Sequence, residues 1–189
     1  MDIEFAYETE TDEFTLVQLR PLSVYDDKGR IDIPDVAPEK TVLKGDRMVA
    51  NGRLENIKHL VYVDPQLYGK TADFTDVARA VGSINDELDG ERYILVGPGR
   101  WGSSNPRLGV PVRYNEISNA GCLVELGIPS MGITPELSYG THFFLDLDGD
   151  NILYLPVFEG TGGNIFNRDW FEHTQQKTTE HQAVRHYQG

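Results

Sequence analysis

The pattern that most limits what this chain can fold into runs from His59 to Gly99. "HLVYVDP" is a short apolar run without polar alternation, which is how a strand buried on both faces reads. Asp73 then stands where an N-cap belongs, and Phe74, Val77, Ala78, Val81, Ile84 and Leu88 recur at helical spacing on one face. "DGERYILVGPG" follows with a glycine-containing stop and a second buried strand. A strand, an amphipathic helix and a strand in this order build a sheet with a helix packed on it, and the crossover is right-handed if the two strands are parallel neighbours. "GCLVELG" reads as a further strand, and "GTHFFLDLDGDNILYLPVF" as a hairpin turning at residues 148–151. Asn167 is placed to cap a terminal helix through "RDWFEHTQQKTTEHQAVRHY".

The N-terminus carries a separate signal. "DIEFAYE" and "FTLVQLR" are rich in aromatic and β-branched residues and flank a short acidic turn, which predicts a β-hairpin. With Glu10, Thr11 and Asp12 as the loop, Ile3 faces Leu19, Phe5 faces Val17 and Tyr7 faces Thr15. The opposite face then pairs Glu4 with Gln18, Asp2 with Arg20, Ala6 with Leu16 and Glu8 with Phe14. Glu4 and Gln18 offer oxygen ligands suited to magnesium, and Arg20 a guanidinium suited to a phosphate oxygen. The same residues also fit a solvated face with a weak surface ion pair between Asp2 and Arg20. A lone two-stranded hairpin is marginal, so it should dock on residues 41–189 or pair with the edge of another chain.

Residues 2–22 resemble the last two strands of the ATP-grasp nucleotide-binding domain of pyruvate phosphate dikinase and phosphoenolpyruvate synthase. There a "DIEF"-like strand precedes a "LVQ.RP"-like strand, matched here by Asp2, Ile3, Glu4 and Phe5, then Leu16, Val17, Gln18, Arg20 and Pro21. The resemblance implies that Glu4 and Gln18 hold Mg2+, that Gln18 and Arg20 contact ATP phosphate, and that Arg20 meets the transferred group. It also implies a piece of a longer ATP-dependent phosphotransferase, with ATP and Mg2+ as cofactors and a substrate of the phosphate or pyruvate class. No glycine-rich lid, cationic clamp, phosphohistidine domain or pyruvate barrel is recognisable in the remaining sequence, so these 189 residues alone are not expected to complete the reaction.

Seventeen basic against thirty acidic residues give a net charge of -13, which argues against nucleic acid or an anionic membrane as partner. Residues 1–40 hold eleven acids and four bases, so over half of the excess lies in the hairpin and the proline-bearing, charged stretch behind it, expected as a linker over 23–40. Cys122 is the only cysteine, which excludes an internal disulfide, and its apolar neighbours predict a buried strand thiol. No bilayer-length apolar run or signal segment is present, and a reducing cytoplasm fits best.

The second chemical candidate is "GPGRWGSSNPRLG", residues 97–109, directly after the strand "RYILV". Gly97, Gly99 and Gly102 allow close backbone approach, while Arg100, Arg107 and Ser103 could converge on an anion, with His142 in reach. The alternative is a structural loop with Trp101 plugging the core and Arg100 paired to an internal acid such as Glu125. No Walker terminus follows. The string "GPGRWGSS" is similar to one in C-terminal extensions of phosphoenolpyruvate-synthase-like proteins, a resemblance that implies no function for it. His173, His181 and His186 are expected on the solvated side of the terminal helix, and the acids of "DLDGDN" lack the carboxylate that closes a calcium loop. The whole predicts an α+β fold: a mixed sheet with flanking helices over 41–189, preceded by a hairpin belonging to an ATP-grasp domain over 1–22. Besides the phosphotransferase, the sequence leaves open a non-catalytic module for an anionic small molecule, and a homo-oligomer.

Overall fold

In the structure, a computed structural model, residues 2–20, 31–47, 51–133, 143, 147 and 149–189 are described. Strands β1 (Asp2–Glu8) and β2 (Glu13–Arg20) form the hairpin, and a two-residue β3 (Leu43–Lys44) pairs antiparallel with β8 (Ile165–Phe166). The main sheet joins β4 (His59–Val63), β5 (Tyr93–Pro98), β6 (Ala120–Gly127), β7 (Leu153–Phe158) and β9 (Val184–Gln188) in the order β7-β6-β5-β4-β9. Four strands run parallel and β9 closes the β4 edge antiparallel. This is the expected α+β architecture with a mixed sheet.

Strand alternation divides the core in two. Val61, Val63, Tyr93, Leu95, Leu123 and Tyr154 face one side, where α2 (Phe74–Glu87) covers them together with Trp101. Tyr62, Val96, Val124, Leu126 and Val157 face the other, under Phe166 and the short helix α3 (Arg168–His173). Covering both faces explains why the strands read as continuous apolar runs. The Asp73 carboxylate caps α2 by accepting from Thr75 N at 2.8 Å, as its position predicts. Asn85, buried on the same helix, accepts from the Tyr93 hydroxyl at 3.1 Å and from Asn119 N at 2.9 Å, which fixes the helix against β5 and the entry to β6.

Three expectations need correction. The segment before β7 is not the first arm of a hairpin: Phe143, Leu147 and Gly149 are helical, and β7 pairs parallel with β6. A parallel neighbour requires a crossover, and helix supplies it. The terminal helix stops at His173, and residues 184–188 instead form β9. Val184 and His186 are buried towards one face of the sheet while Arg185 and Tyr187 pack towards the other, so the β4 edge rewards extended backbone more than an isolated helix of thin apolar content would.

The hairpin register is the third. Asp2↔Arg20, Ile3↔Leu19 and Glu4↔Gln18 pair as expected, and then Val17 bulges, shifting the partners to Phe5↔Leu16, Ala6↔Thr15, Tyr7↔Phe14 and Glu8↔Glu13. The bulge moves Leu16 and Phe14 onto the face of Ile3, Phe5 and Tyr7, so apolar residues collect on one side more completely than in the unbulged register. The Phe5 and Phe14 rings lie 5.1 Å apart. Nothing among the described residues covers this face: Phe5 and Phe14 are each 60% exposed. Among the described residues the hairpin's apolar face is not covered by residues 41–189, one of the two arrangements expected, the other being pairing with the edge of another chain.

Candidate functional site

Two regions carry the residues singled out in the sequence. At the open end of the hairpin the backbone pairs Glu4 with Gln18 and Asp2 with Arg20, on the face opposite the apolar one. Glu4 is exposed and Gln18 half-buried. A carboxylate and an amide carbonyl at paired positions on adjacent strands are oxygen donors of the kind Mg2+ takes, an ion that uses few protein ligands and keeps the remaining positions for water and phosphate.

The second region is the loop after β5. Trp101 is fully buried; its indole Nε1–H donates to Val124 O at 2.9 Å and its backbone N–H to Glu125 Oε1 at 3.1 Å. Glu125, also fully buried, accepts from the Tyr154 hydroxyl at 2.6 Å through Oε2. The loop is thus stapled to β6 by an indole, not by Arg100, whose guanidinium has no partner among the described residues.

The glycines serve this packing. A Cβ at Gly97 would lie 2.4 Å from the Trp101 ring, and one at Gly109 would lie 1.8 Å from Arg100 O, where the loop crosses itself. Ser103 closes its own turn, donating to Asn105 O at 3.0 Å and accepting from Asn105 N at 3.2 Å. Ser103 is thus buried with its hydroxyl taken up in its own turn, and Arg107 lines a cavity. His142 lies outside the described residues.

That cavity, about 430 Å3, opens beyond the carboxyl ends of β4, β5 and β6. Its walls are Pro65 and Tyr68 of α1 (Pro65–Tyr68), Phe74, Pro98, Gly99, the segment 106–109 and the segment 131–133. Sequence alone located the loop but missed the partners, since they come from three stretches far apart in the chain. Asp64 starts α1 by accepting from Gln66 N and Leu67 N, and the Tyr68 hydroxyl shares its bonding between Pro106 O at 3.0 Å and Gly109 O at 2.9 Å. These bonds set the walls in place before any ligand arrives.

Two polar groupings had no sequence signal. On the other sheet face a smaller cavity of about 180 Å3 is lined by Tyr62, Asp64, Arg168 and Arg185, with Arg185 ion-paired to Asp64 and Arg168 to Glu159. Burial raises the Tyr62 phenol well above its usual range, so it stays protonated. Between β4 and β9, His186 and His59 share a 2.9 Å contact, and His59 Nε2 lies 3.3 Å from Glu91. One proton on each ring satisfies both contacts, His186 donating to His59 and His59 to the carboxylate. Burial, then the nearby Lys177 and His59, pushes His186 down to about 4. His186 is a buried strand residue, not a solvated helix residue.

Cys122 lies on a strand as expected but is half-buried rather than buried, and desolvation pushes its thiol up to about 12. Asp169, Glu172 and His173 bring one ligand atom each within 4.8 Å of one another on exposed α3. Among the described residues no helix is long and apolar enough to cross a membrane. No protein-family model, curated protein or solved structure matches this chain.

Proposed function

We propose that the hairpin is the metal–phosphate edge of the ATP site in an ATP-dependent phosphotransferase of the phosphoenolpyruvate synthase and pyruvate phosphate dikinase type. Glu4 and Gln18 hold Mg2+, Gln18 and Arg20 contact ATP phosphate, and Arg20 meets the transferred group; the acceptor is of the phosphate or pyruvate class. The observation that carries this reading is the register, which sets Glu4 opposite Gln18 and Asp2 opposite Arg20 on the polar face. The uncovered apolar face supports it too, because a strand pair with that much exposed aromatic surface suits a larger sheet or core.

Phosphoryl transfer needs a phosphate cradle, metal and cationic clamp together, and the hairpin supplies only one edge. The 189 residues alone should bind Mg-ATP with a Kd of about 1 mM or weaker, worth roughly 4 kcal/mol, without turnover. Calorimetric titration of wild type, Glu4→Ala and Gln18→Ala tests this: the weak binding should vanish in both variants. Binding equal in all three would refute the assignment of the edge.

A second reading is favoured by the cavity at the carboxyl ends of β4, β5 and β6. There residues 41–189 act as a non-catalytic module that binds a small anionic molecule, which is where open α/β sheets place their ligands.

A further inference from the structure

From the lining of that cavity we infer its ligand class: an apolar carboxylic acid, with an aromatic or branched body and a single negative charge. The inference rests on the binding-module reading and narrows it. The volume of about 430 Å3 lies in the range of small-molecule sites. Three prolines, Tyr68, Phe74 and Ile133 give the walls an apolar surface. Among the described residues outside the hairpin, Leu108 at 51% and Met131 at 37% are two of the few large apolar side chains that are exposed, and both flank this opening. A phosphate-sized polar anion would leave this surface in water, whereas an aromatic or branched body would cover it.

The charge comes from one residue. Among the described residues Arg107 is the only charged side chain lining the cavity, and it has no ion-pair partner among them. In a chain with thirty acids and seventeen bases, an exposed guanidinium with no ion pair among the described residues is available to a ligand. One guanidinium fits one carboxylate through paired N–H donors. With a single cation among the described wall residues, polyanions such as a nucleoside triphosphate are poorly matched. The Tyr68 hydroxyl, held between Pro106 O and Gly109 O, keeps the loop that bears Arg107 at a fixed height over α1.

Indole-3-acetate, uncharged indole, inorganic phosphate and phosphoenolpyruvate serve as probes by calorimetry, against wild type, Arg107→Ala and Met131→Glu. Arg107 and Met131 are exposed, so the variants should keep the wild-type circular dichroism and melting temperature. Indole-3-acetate should bind wild type, lose about tenfold or more with Arg107→Ala as expected for a charge-assisted hydrogen bond, and lose affinity with Met131→Glu through repulsion. Indole should bind more weakly and be indifferent to Arg107→Ala. Indole-3-acetate affinity within twofold of wild type in Arg107→Ala would overturn the inference. Arg107-dependent binding of phosphate or phosphoenolpyruvate in place of indole-3-acetate would overturn the ligand class and leave the anion module standing. Absence of binding by all four probes would overturn both.

Discussion

Replacing Tyr154 with Phe removes one oxygen and almost no volume, and it isolates what holds the glycine loop to the sheet. In the native protein the Tyr154 hydroxyl donates to Glu125 Oε2 at 2.6 Å, and Trp101 N donates to Oε1 at 3.1 Å, all within fully buried side chains. The variant keeps the Trp101 bond and withdraws a donor from a carboxyl that water does not reach. Leaving a buried acceptor short of a partner costs about 1–3 kcal/mol. For a chain of this size that corresponds to a melting shift of roughly 2–12 °C. Arg100→Ala is the matched comparison, because Arg100 would be the expensive residue if it, not Tyr154, satisfied Glu125. Urea denaturation of wild type and both single variants, read by Trp fluorescence, gives the two costs. Tyr154→Phe should lose more than Arg100→Ala, which should stay within about 0.5 kcal/mol as an ordinary surface change. A Tyr154→Phe cost below that figure, with a larger loss for Arg100→Ala, would refute the assignment of Glu125 to the Tyr154–Trp101 staple.

Lowering the pH should destabilise the fold through His186: its unfolded value near 6.5 falls to about 4 when folded, so the stability is present above 6.5 and is lost as pH falls towards 4. With Lys177 and the His59 ring beside it, the loss by pH 4 is about 3 kcal/mol, and urea titrations should show it in wild type but not in His186→Gln. Gly97→Ala drives a Cβ to 2.4 Å from the Trp101 ring, so overpacking should cost about 1–3 kcal/mol in the same assay. Cys122 should react slowly with thiol reagents in the native protein and faster once unfolded, because its raised thiol is scarcely ionised near neutral pH although the residue is half-exposed.

What could be seen in the sequence was whatever local pattern decides. β4, α2, β5 and β6 were legible because burial on both faces turns a strand into an unbroken apolar run, and because the capped helix repeats at one period. The Glu4↔Gln18 pairing was legible from strand alternation. β9 was not, since "AVRHYQ" becomes a strand only where the β4 edge waits for it. The parallel course of β7 and the bulge at Val17 were equally invisible, as each depends on the neighbour it meets. In the loop, composition showed four glycines and two arginines but could not show that Gly97 makes room for Trp101 and Gly109 for Arg100 O. It also could not show that Ser103 spends its hydroxyl on Asn105. The cavity escaped because residues near 65, 107 and 131 meet only in the folded chain.

The central claim concerns Glu4 and Gln18, and paramagnetic NMR meets it at the weak affinity expected. Mn2+ substitutes for Mg2+ with ATP added at millimolar concentration to uniformly 15N-labelled protein, and the broadening of each amide reports its nearness to the metal. The account predicts ATP-dependent broadening centred on Glu4 and on the Gln18 backbone and side-chain amides, extending to Arg20 and lost in Glu4→Ala. Broadening confined to Asp169, Glu172 and His173, or none at the hairpin when ATP is present, would contradict it.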